Sequence, residues 1–227
     1  GGAARGALCR RRGGGLSPAE DRSRIPEDGC RSGGGSTVGK SVHRICATRH
    51  SPKRQGTIKL PDVKGNPYFE ILTALARARV DFIVGGGVAC VLHGVERVTM
   101  DVDLAVLMQS GNLGAFLTVM QQLGLKPRVP IPPDALLQPE TIRMLVEEKH
   151  ALVFTFLDPD RPVRQVDLLL RPDLSYESLL PDVEWVELDK VRVRVVSKRR
   201  LLAIKLGIQP PRLKDAMDIE FLRQHAD

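Results

Sequence analysis

The chain has 227 residues, of which 42% are hydrophobic and 27% charged, and its formal net charge is +7. No stretch approaches the roughly 18 to 20 consecutive apolar residues of a membrane-spanning helix, and the first residues lack the apolar block of a signal peptide. These features argue against a membrane protein, and we expect a cytoplasmic globular protein of one or two domains.

The positive charge is concentrated at the N-terminus. Residues 1–56 contain 12 Lys or Arg against 4 Asp or Glu, together with 12 of the 21 glycines and no aromatic residue. Because such a segment has little to bury, it cannot offset the entropy lost on ordering. We expect a disordered, basic Gly/Arg-rich tail over 1–56; an RNA-binding tail is the alternative. The remaining residues are close to neutral, so the basic isoelectric point does not indicate nucleic-acid binding by the folded part.

The tail contains a phosphate-loop pattern, GGSTVGKS, at 34–41. That pattern binds phosphate where a buried strand leads into it and a helix leads out, because backbone amides then converge on the ligand. The preceding residues, RIPEDGCRSG, cannot form a buried strand. We therefore interpret the pattern as a chance match in a Gly- and Ser-rich tract.

The cysteines and histidines give little evidence of a site. None of the four cysteines has CxxC spacing, so no zinc site is predicted. Cys90 stands in the apolar segment VACVL and is predicted to be a small buried hydrophobe. His93 follows in the same segment, and we interpret it as a packing or capping residue.

From residue 57 onward the sequence alternates between helical and strand patterns. Proline residues separate the last two predicted helices, and glycines follow the first predicted strand. The pattern indicates an α/β (α+β) fold, a mixed sheet flanked by helices with a small C-terminal helical appendage. In chain order we predict a helix over 66–80, a strand over 80–84, a short helix over 88–94, a strand over 98–107, helices over 112–124 and 139–149, a hairpin of strands 150–158 and 162–170, strands over 183–188 and 191–196, and helices over 197–208 and 211–225.

The strand over 98–107 carries Asp101 and Asp103 inside an apolar run. Alternate side chains of a strand share a face, so Thr99, Asp101 and Asp103 fall on one side, with the two aspartate Cα atoms about 7 Å apart. The other face is entirely apolar and is predicted to face the core: Val98, Met100, Val102, Leu104 and Val106.

Two carboxylates this close repel each other and raise each other's pKa unless a cation lies between them. Oxygen ligands suit Mg²⁺, so the pair predicts a metal site. The alternative is a solvent-facing surface with two unrelated acids. Asp167 is the predicted third acid, because an aspartate inside the apolar run VRQVDLLL needs a partner. It would share a strand face with Val163, Gln165 and Leu169.

Three glycines stand just upstream of the two aspartates. A strand, a glycine turn and a helix opening form an arrangement in which backbone amides can hold a triphosphate. Glycine allows the closest approach of the backbone, so Gly86 and Gly87 are the predicted phosphate contacts. The alternative is a plain turn between strand and helix.

The segment GGVACVLHGVERVTMDVDL, residues 86–104, resembles the signature of the DNA-polymerase-beta-like nucleotidyltransferase superfamily, and more narrowly its AbiEii-type branch. The C-terminal LLAIKLGIQPPRLKDAMDIEFL is similar to the closing helices of that branch. The matching positions are Gly86, Gly87, Ala89, His93, Gly94, Arg97, Thr99, Asp101, Asp103, Lys205, Lys214, Asp215 and Asp218. The linker GIQPPR departs from the expected shorter turn, and this leaves the choice of NTP open.

The resemblance implies a minimal nucleotidyltransferase core over 57–196 and a C-terminal helical segment over 197–227. Asp101 and Asp103 would bind two Mg²⁺ ions, and Asp167 would be a further ligand or the general base. Asp215 would orient Lys214. The residues expected to bind the nucleotide are Gly86, Gly87, Arg97, Thr99, Lys205, Lys214 and Asp215.

The implied activity is transfer of an NMP from an NTP to an acceptor hydroxyl. The branch suggests a toxin-like enzyme that modifies RNA or a protein and is controlled by an antitoxin protein. A small-molecule transferase of the antibiotic-modifying kind is one alternative. A non-catalytic nucleotide-binding or antitoxin-like subunit of the same fold is another.

Overall fold

The computed structural model describes residues 67–210 and 212–226. The predicted tail over 1–56, the phosphate-loop pattern within it and the start of the predicted core lie outside the described residues. Within those ranges, no helix has the length and apolar character needed to cross a membrane.

The elements follow one another in nearly the predicted order, with short 3₁₀ turns between several of them. The helices of the described part are α1 (Pro67–Arg77), α2 (Gly86–Leu92), α3 (Ser110–Gln122), α4 (Pro139–Arg143), α5 (Tyr176–Leu179), α6 (Lys198–Leu206) and α7 (Ala216–His225). The strands are β1 (Phe82–Val84), β2 (Asp101–Val106), β3 (Lys126–Pro127), β4 (Val153–Leu157), β5 (Gln165–Leu169), β6 (Val183–Leu188) and β7 (Val191–Val196).

These strands form one sheet in the order β3-β4-β5-β2-β1-β7-β6. β2 runs parallel to β5 and β1 runs parallel to β7, whereas the other four neighbouring pairs are antiparallel. The expected fold class, a mixed sheet flanked by helices with helices at the C-terminal end, is confirmed.

The core lies between the sheet and its helices. The predicted stripe of α1 is buried, with Ile71, Leu72 and Leu75 fully covered. On α3, Phe116 meets Phe156 of β4 edge-on, with ring centroids 5.7 Å apart. Such edge-to-face contacts stabilise aromatic pairs beyond the area they bury. Phe154 is buried on the same face of β4, which leaves the intervening Thr155 on the opposite face of the strand.

The predicted hairpin is present as β4 and β5, paired antiparallel from Val153 to Leu157. Its turn is held by Arg164, which is almost fully buried. One guanidinium nitrogen donates to the Leu123 carbonyl at 2.9 Å and pairs with Asp158 at 3.3 Å, and the other pairs with Glu70 at 3.0 Å. One side chain therefore ties the hairpin to α1 and to the end of α3.

The predicted strand over 98–107 is wrong at its start. β2 begins at Asp101, and Val98 and Met100, expected in the core, are 85% and 55% exposed. The physical reason is pairing, because β1 covers only the last three residues of β2 and β5 begins pairing at Asp101. Without a ladder partner, residues 98–100 leave the sheet.

Two smaller corrections concern ends of elements. Val163, expected on the strand face of Asp167, lies in the turn and is 51% exposed, because β5 begins at Gln165. The helix predicted over 139–149 is α4 followed by a π-helical turn over Met144–Glu148.

The predictions for Cys90 and His93 are confirmed. Cys90 is fully buried. His93 is buried too, and its Nε2 lies 2.8 Å from the Val196 carbonyl at the end of β7. This bond ties the end of α2 to the sheet and gives His93 a structural role.

We expect Phe156→Ala to lower the free energy of unfolding by about 3–5 kcal/mol, because it leaves a cavity between α3 and the sheet. Val163→Ala, at an exposed position, should change it by less than about 0.5 kcal/mol. Urea denaturation followed by circular dichroism measures both. A loss below about 1 kcal/mol for Phe156→Ala would contradict the packing described for this core.

Candidate active site

The glycine turn between β1 and α2 lies directly against β2. The Gly85 amide donates to the Asp103 carbonyl at 2.9 Å. Gly86 has a φ of +56°, and a Cβ atom at this position would overlap the carboxylate of Asp103. The Gly87 amide donates a hydrogen bond to that same carboxylate. Glycine is required here by both the backbone conformation and the close approach.

The parallel pairing of β2 with β5 brings the third acid to the first two. In this register Asp103 lies opposite Asp167, and Asp101 lies opposite Gln165. Asp101, Asp103 and Asp167 each offer one carboxylate oxygen, and these three oxygens lie within 4.8 Å of one another. The structure therefore brings together the three acids that the sequence analysis singled out.

The third acid is oriented by two donors from its own side of the sheet. Thr155 Oγ1 donates to Asp167 Oδ1 at 2.7 Å, and the Gln165 side-chain amide donates to the same oxygen at 3.1 Å. Asp167 is only 8% exposed. Sequence reasoning missed Thr155 and Gln165 as supporting residues, and only the strand alternation around them could have indicated their side of the sheet.

Crowding and burial change the acidity of the central carboxylate. Burial, together with the negative charges of Asp101 and Asp167, raises the pKa of Asp103 to about 6. The Gly87 amide and the Lys214 ammonium act in the opposite direction on this pKa. A buried anion beside two other anions is destabilising unless a cation binds among them.

The donor set fits a hard divalent cation. All three candidate ligands are carboxylates, the ligand type preferred by Mg²⁺, and no His or Cys belongs to the cluster. Asp101, Asp103 and Asp167 would hold the ions. Bound cations would relieve the repulsion that raises the pKa of Asp103.

Thr99 is buried between the glycine turn and Asp101. It is 6% exposed, its Oγ1 donates to Asp101 Oδ1 at 3.0 Å, and a Cβ atom at Gly87 would collide with it. Thr99, which the resemblance predicts to bind nucleotide, thus directs its hydroxyl to a candidate metal ligand.

A buried network of charges joins the C-terminal helices to the segment before β2. Lys205 of α6 pairs with Asp215 at 2.7 Å and with Asp218 at 2.8 Å. Asp218, which is fully buried, also pairs with Arg97, and Arg212 pairs with Asp215 at 2.6 Å. Asp218 and Arg212 were not predicted as site residues. The spacing of Asp215 and Asp218, three residues apart as neighbours on one helix face are, is the signal that could have indicated a shared partner for Asp218.

This network changes the roles expected for the lysines. Asp215 does not orient Lys214 as expected, because its carboxylate oxygens are held by Lys205 and Arg212. Lys205 is buried, and the two carboxylates raise its pKa against the lowering effect of burial. Lys214 is exposed, lines the cleft and lowers the pKa of Asp103, so it is the lysine available to an anionic ligand.

The cleft beside the carboxylates has a volume of about 220 Å³. One part is polar and is formed by the glycine turn, Asp101, Asp103 and the cations of the C-terminal segment. The other part is aliphatic, with contributions from β4, β5, α5, β7 and α6. Its aliphatic lining residues are Leu152, Val153, Leu169, Leu174, Leu179, Val196, Ile204 and Ile208.

Comparison with solved structures finds proteins of low sequence identity. A lincomycin-bound lincosamide antibiotic adenylyltransferase, LnuA, is 16% identical, with 72% of this chain and 98% of that chain covered and a TM-score of 0.48. The antibiotic-resistance factor ANT(2'')-Ia is 14% identical over 71% and 83% of the two chains, with a TM-score of 0.47. An antigenic nucleotidyltransferase-like protein from Paracoccidioides brasiliensis is 18% identical over 69% and 74%, with a TM-score of 0.42.

No protein-family model matches the chain, and the search of curated proteins found no match. Because each of the three TM-scores is below 0.5, these similarities by themselves assign no activity to the chain.

We expect Asp103→Asn to stabilise the metal-free protein at pH 8 by about 3 kcal/mol, since the pKa of Asp103 rises from 3.8 to about 6 on folding and one pKa unit corresponds to about 1.4 kcal/mol. The pKa of Asp103 is higher in the folded than in the unfolded state, so its charge destabilises the fold above pH 6. The gain should shrink as the pH falls from about 6 to about 4 and vanish where both states are protonated. Urea denaturation in EDTA across this range measures it.

Asp160→Asn is the matched control, because Asp160 lies exposed in the β4–β5 turn. It should change the free energy of unfolding by less than about 0.5 kcal/mol at every pH. A loss of stability on Asp103→Asn at pH 8 would show that the Asp103 charge is already compensated within the protein.

We expect Gly86→Ala to weaken Mn²⁺ binding by at least about tenfold, because the added Cβ displaces the Asp103 carboxylate. The strained backbone should also lower stability by about 1–2 kcal/mol. Gly114→Ala, in α3, is the control, because no atom lies within 4 Å of the added Cβ. It should leave Mn²⁺ binding unchanged and stabilise the protein by up to about 1 kcal/mol. Electron paramagnetic resonance measures free Mn²⁺, and equal affinities for the two variants would contradict the assignment.

Proposed function

We propose that the protein is a Mg²⁺-dependent nucleotidyltransferase that moves an NMP from an NTP to an acceptor hydroxyl. The observation that carries the proposal is the convergence of Asp101, Asp103 and Asp167 beside the glycine turn. A structural role does not account for three crowded carboxylates, because without a cation they oppose folding.

The polar part of the cleft suits a triphosphate. At the glycine turn the backbone can approach the phosphates closely, and the exposed ammonium of Lys214 can neutralise them. Arg97 also lines the cleft, and its pairing with Asp218 holds it there. These groups supply positive charge around an anionic ligand whose reactive phosphorus would lie beside the carboxylates.

In the proposed reaction the acceptor hydroxyl oxygen forms a bond to the α-phosphorus of the NTP. The bond from that phosphorus to the α–β bridging oxygen breaks, and pyrophosphate leaves with the electron pair. Two divalent cations held by the carboxylates would stabilise the negative charge on the attacking and leaving oxygens. The hydroxyl proton passes to Asp167 or to a water molecule, so Asp167 acts as a ligand or as the general base.

The chain contributes mainly position and charge to this reaction, as in other phosphoryl-group chemistry. Thr155 and Gln165 orient Asp167, and Thr99 orients Asp101. The buried network around Lys205 holds the C-terminal helices over the cleft. The strongest losses of activity should therefore follow substitution of the three acids.

For the acceptor, we propose a macromolecule, RNA or protein, on the strength of the AbiEii-type resemblance of residues 86–104 and of the C-terminal helices. An antitoxin partner belongs to the same hypothesis. A hydroxylated small molecule of the antibiotic kind is the second candidate acceptor.

The test is transfer of label by the full chain with Mg²⁺ and each of the four NTPs. α-³²P-labelled NTP should label total RNA, cell protein or a panel of hydroxylated antibiotics, whereas γ-³²P-labelled NTP should label none of them. Asp101→Asn, Asp103→Asn and Asp167→Asn should each lower transfer at least about 100-fold. Asp160→Asn should keep full activity.

The outcomes separate the hypotheses. Label in RNA or protein supports the toxin-like enzyme, and label only in an antibiotic supports the small-molecule transferase. Binding of NTP and Mn²⁺ without transfer to any acceptor would favour the non-catalytic subunit. Binding of neither NTP nor Mn²⁺ by the full chain would refute the proposed function.

A further inference from the structure

A chain of hydrogen bonds leads from helix α1 to the candidate metal site. Tyr68, in the first turn of α1, donates its hydroxyl to the backbone carbonyl of Thr99. The Thr99 hydroxyl donates in turn to Asp101 Oδ1 at 3.0 Å. Tyr68 is thereby connected through Thr99, 31 positions further along the chain, to the predicted metal ligand Asp101.

The segment that receives these bonds is tied to Asp218 by Arg97 and reaches β2 through residues 98–100. It stands outside the sheet, with Val98 and Met100 largely exposed on either side of the buried Thr99. Thr99 is therefore the point at which the segment attaches to the fold just before β2. Its carbonyl is held by α1, and its side chain is held between the glycine turn and Asp101.

The position of Thr99 matters because an aspartate side chain rotates about two bonds. Held at Oδ1 by Thr99, the Asp101 carboxylate presents a fixed edge to the other acids of the cluster. Outer partners of this kind orient metal ligands, and their loss weakens metal binding about 10- to 100-fold. A shift of the Thr99 backbone would turn the carboxylate out of that orientation.

The phenol is suited to a permanent donor role. Burial raises the pKa of Tyr68, and the negative charge of Asp101 raises it further. The hydroxyl therefore keeps its proton, and with it the bond to the Thr99 carbonyl, at neutral pH.

We propose that Tyr68 is a positioning residue for the metal site: by holding the Thr99 carbonyl it sets, through the Thr99 hydroxyl, the orientation of the Asp101 carboxylate. The inference rests on the proposed function, because it requires Asp101 to bind a divalent cation. It assigns to α1 a part in the site, although neither the resemblance nor the sequence pattern points to Tyr68.

The test measures Mn²⁺ affinity of the full chain by electron paramagnetic resonance, without NTP and without turnover. Thr99→Val should weaken binding about tenfold, Thr99→Ser should restore most of it, and Tyr68→Phe should weaken it about threefold. Because the two bonds act in series, Tyr68→Phe combined with Thr99→Val should bind no more weakly than Thr99→Val alone. The KM for the NTP should rise in parallel with the Mn²⁺ dissociation constant.

Tyr176→Phe is the matched control, since Tyr176 is the other tyrosine of the chain and its hydroxyl contacts Asp81. It should bind Mn²⁺ as the wild type does, and its thermal unfolding shows what loss of a buried phenol hydroxyl does to stability. Equal Mn²⁺ affinities for Tyr68→Phe and Tyr176→Phe, or additive losses in the double variant, would overturn the inference alone. Failure of the wild type to bind Mn²⁺ would overturn it together with the proposed function.

Discussion

The contact between the glycine turn and the Asp103 carboxylate is the constraint on which the rest of the site depends. Gly86 can occupy its position only because it has no side chain, and the Gly85 amide fixes β1 against β2 at the same point. The parallel β2–β5 register then brings Asp167 opposite Asp103. Three negative charges are brought together as a result. Their mutual repulsion is unfavourable in the metal-free protein, and a bound cation would remove it.

Besides their apolar packing, the C-terminal helices are joined to the segment before β2 by buried charges. Lys205 lies between two buried carboxylates, and Arg97 reaches one of them from the segment before β2. Buried ion pairs of this kind contribute little net stability, but each partner is costly to remove. They fix where α6 and α7 lie, and with them the position of the exposed Lys214. The cleft thus has one wall set by backbone geometry and another set by paired charges.

Much of this arrangement was predictable from the sequence. Apolar periodicity gave the order of helices and strands, and the unusual acids in apolar runs identified Asp101, Asp103 and Asp167. Periodicity could not place the start of β2, because Val98 and Met100 continue the alternating pattern of the strand. Pairing with β1 and β5 decides where the strand begins, and no such pairing reaches these residues. The partners of Lys205 were hidden for the same reason, since ion pairs between helices depend on three-dimensional placement.

The spread of the site along the chain has a consequence for biosynthesis. The glycine turn and the first two acids are made early, but Asp215 and Asp218 come from the last elements of the described chain. Until those residues emerge from the ribosome, Arg97 and Lys205 lack the partners that hold them. A nascent chain can form the sheet and its carboxylates before the C-terminal wall exists. If the cleft requires both walls, it is complete only after Asp215 and Asp218 have emerged and paired with Lys205 and Arg97.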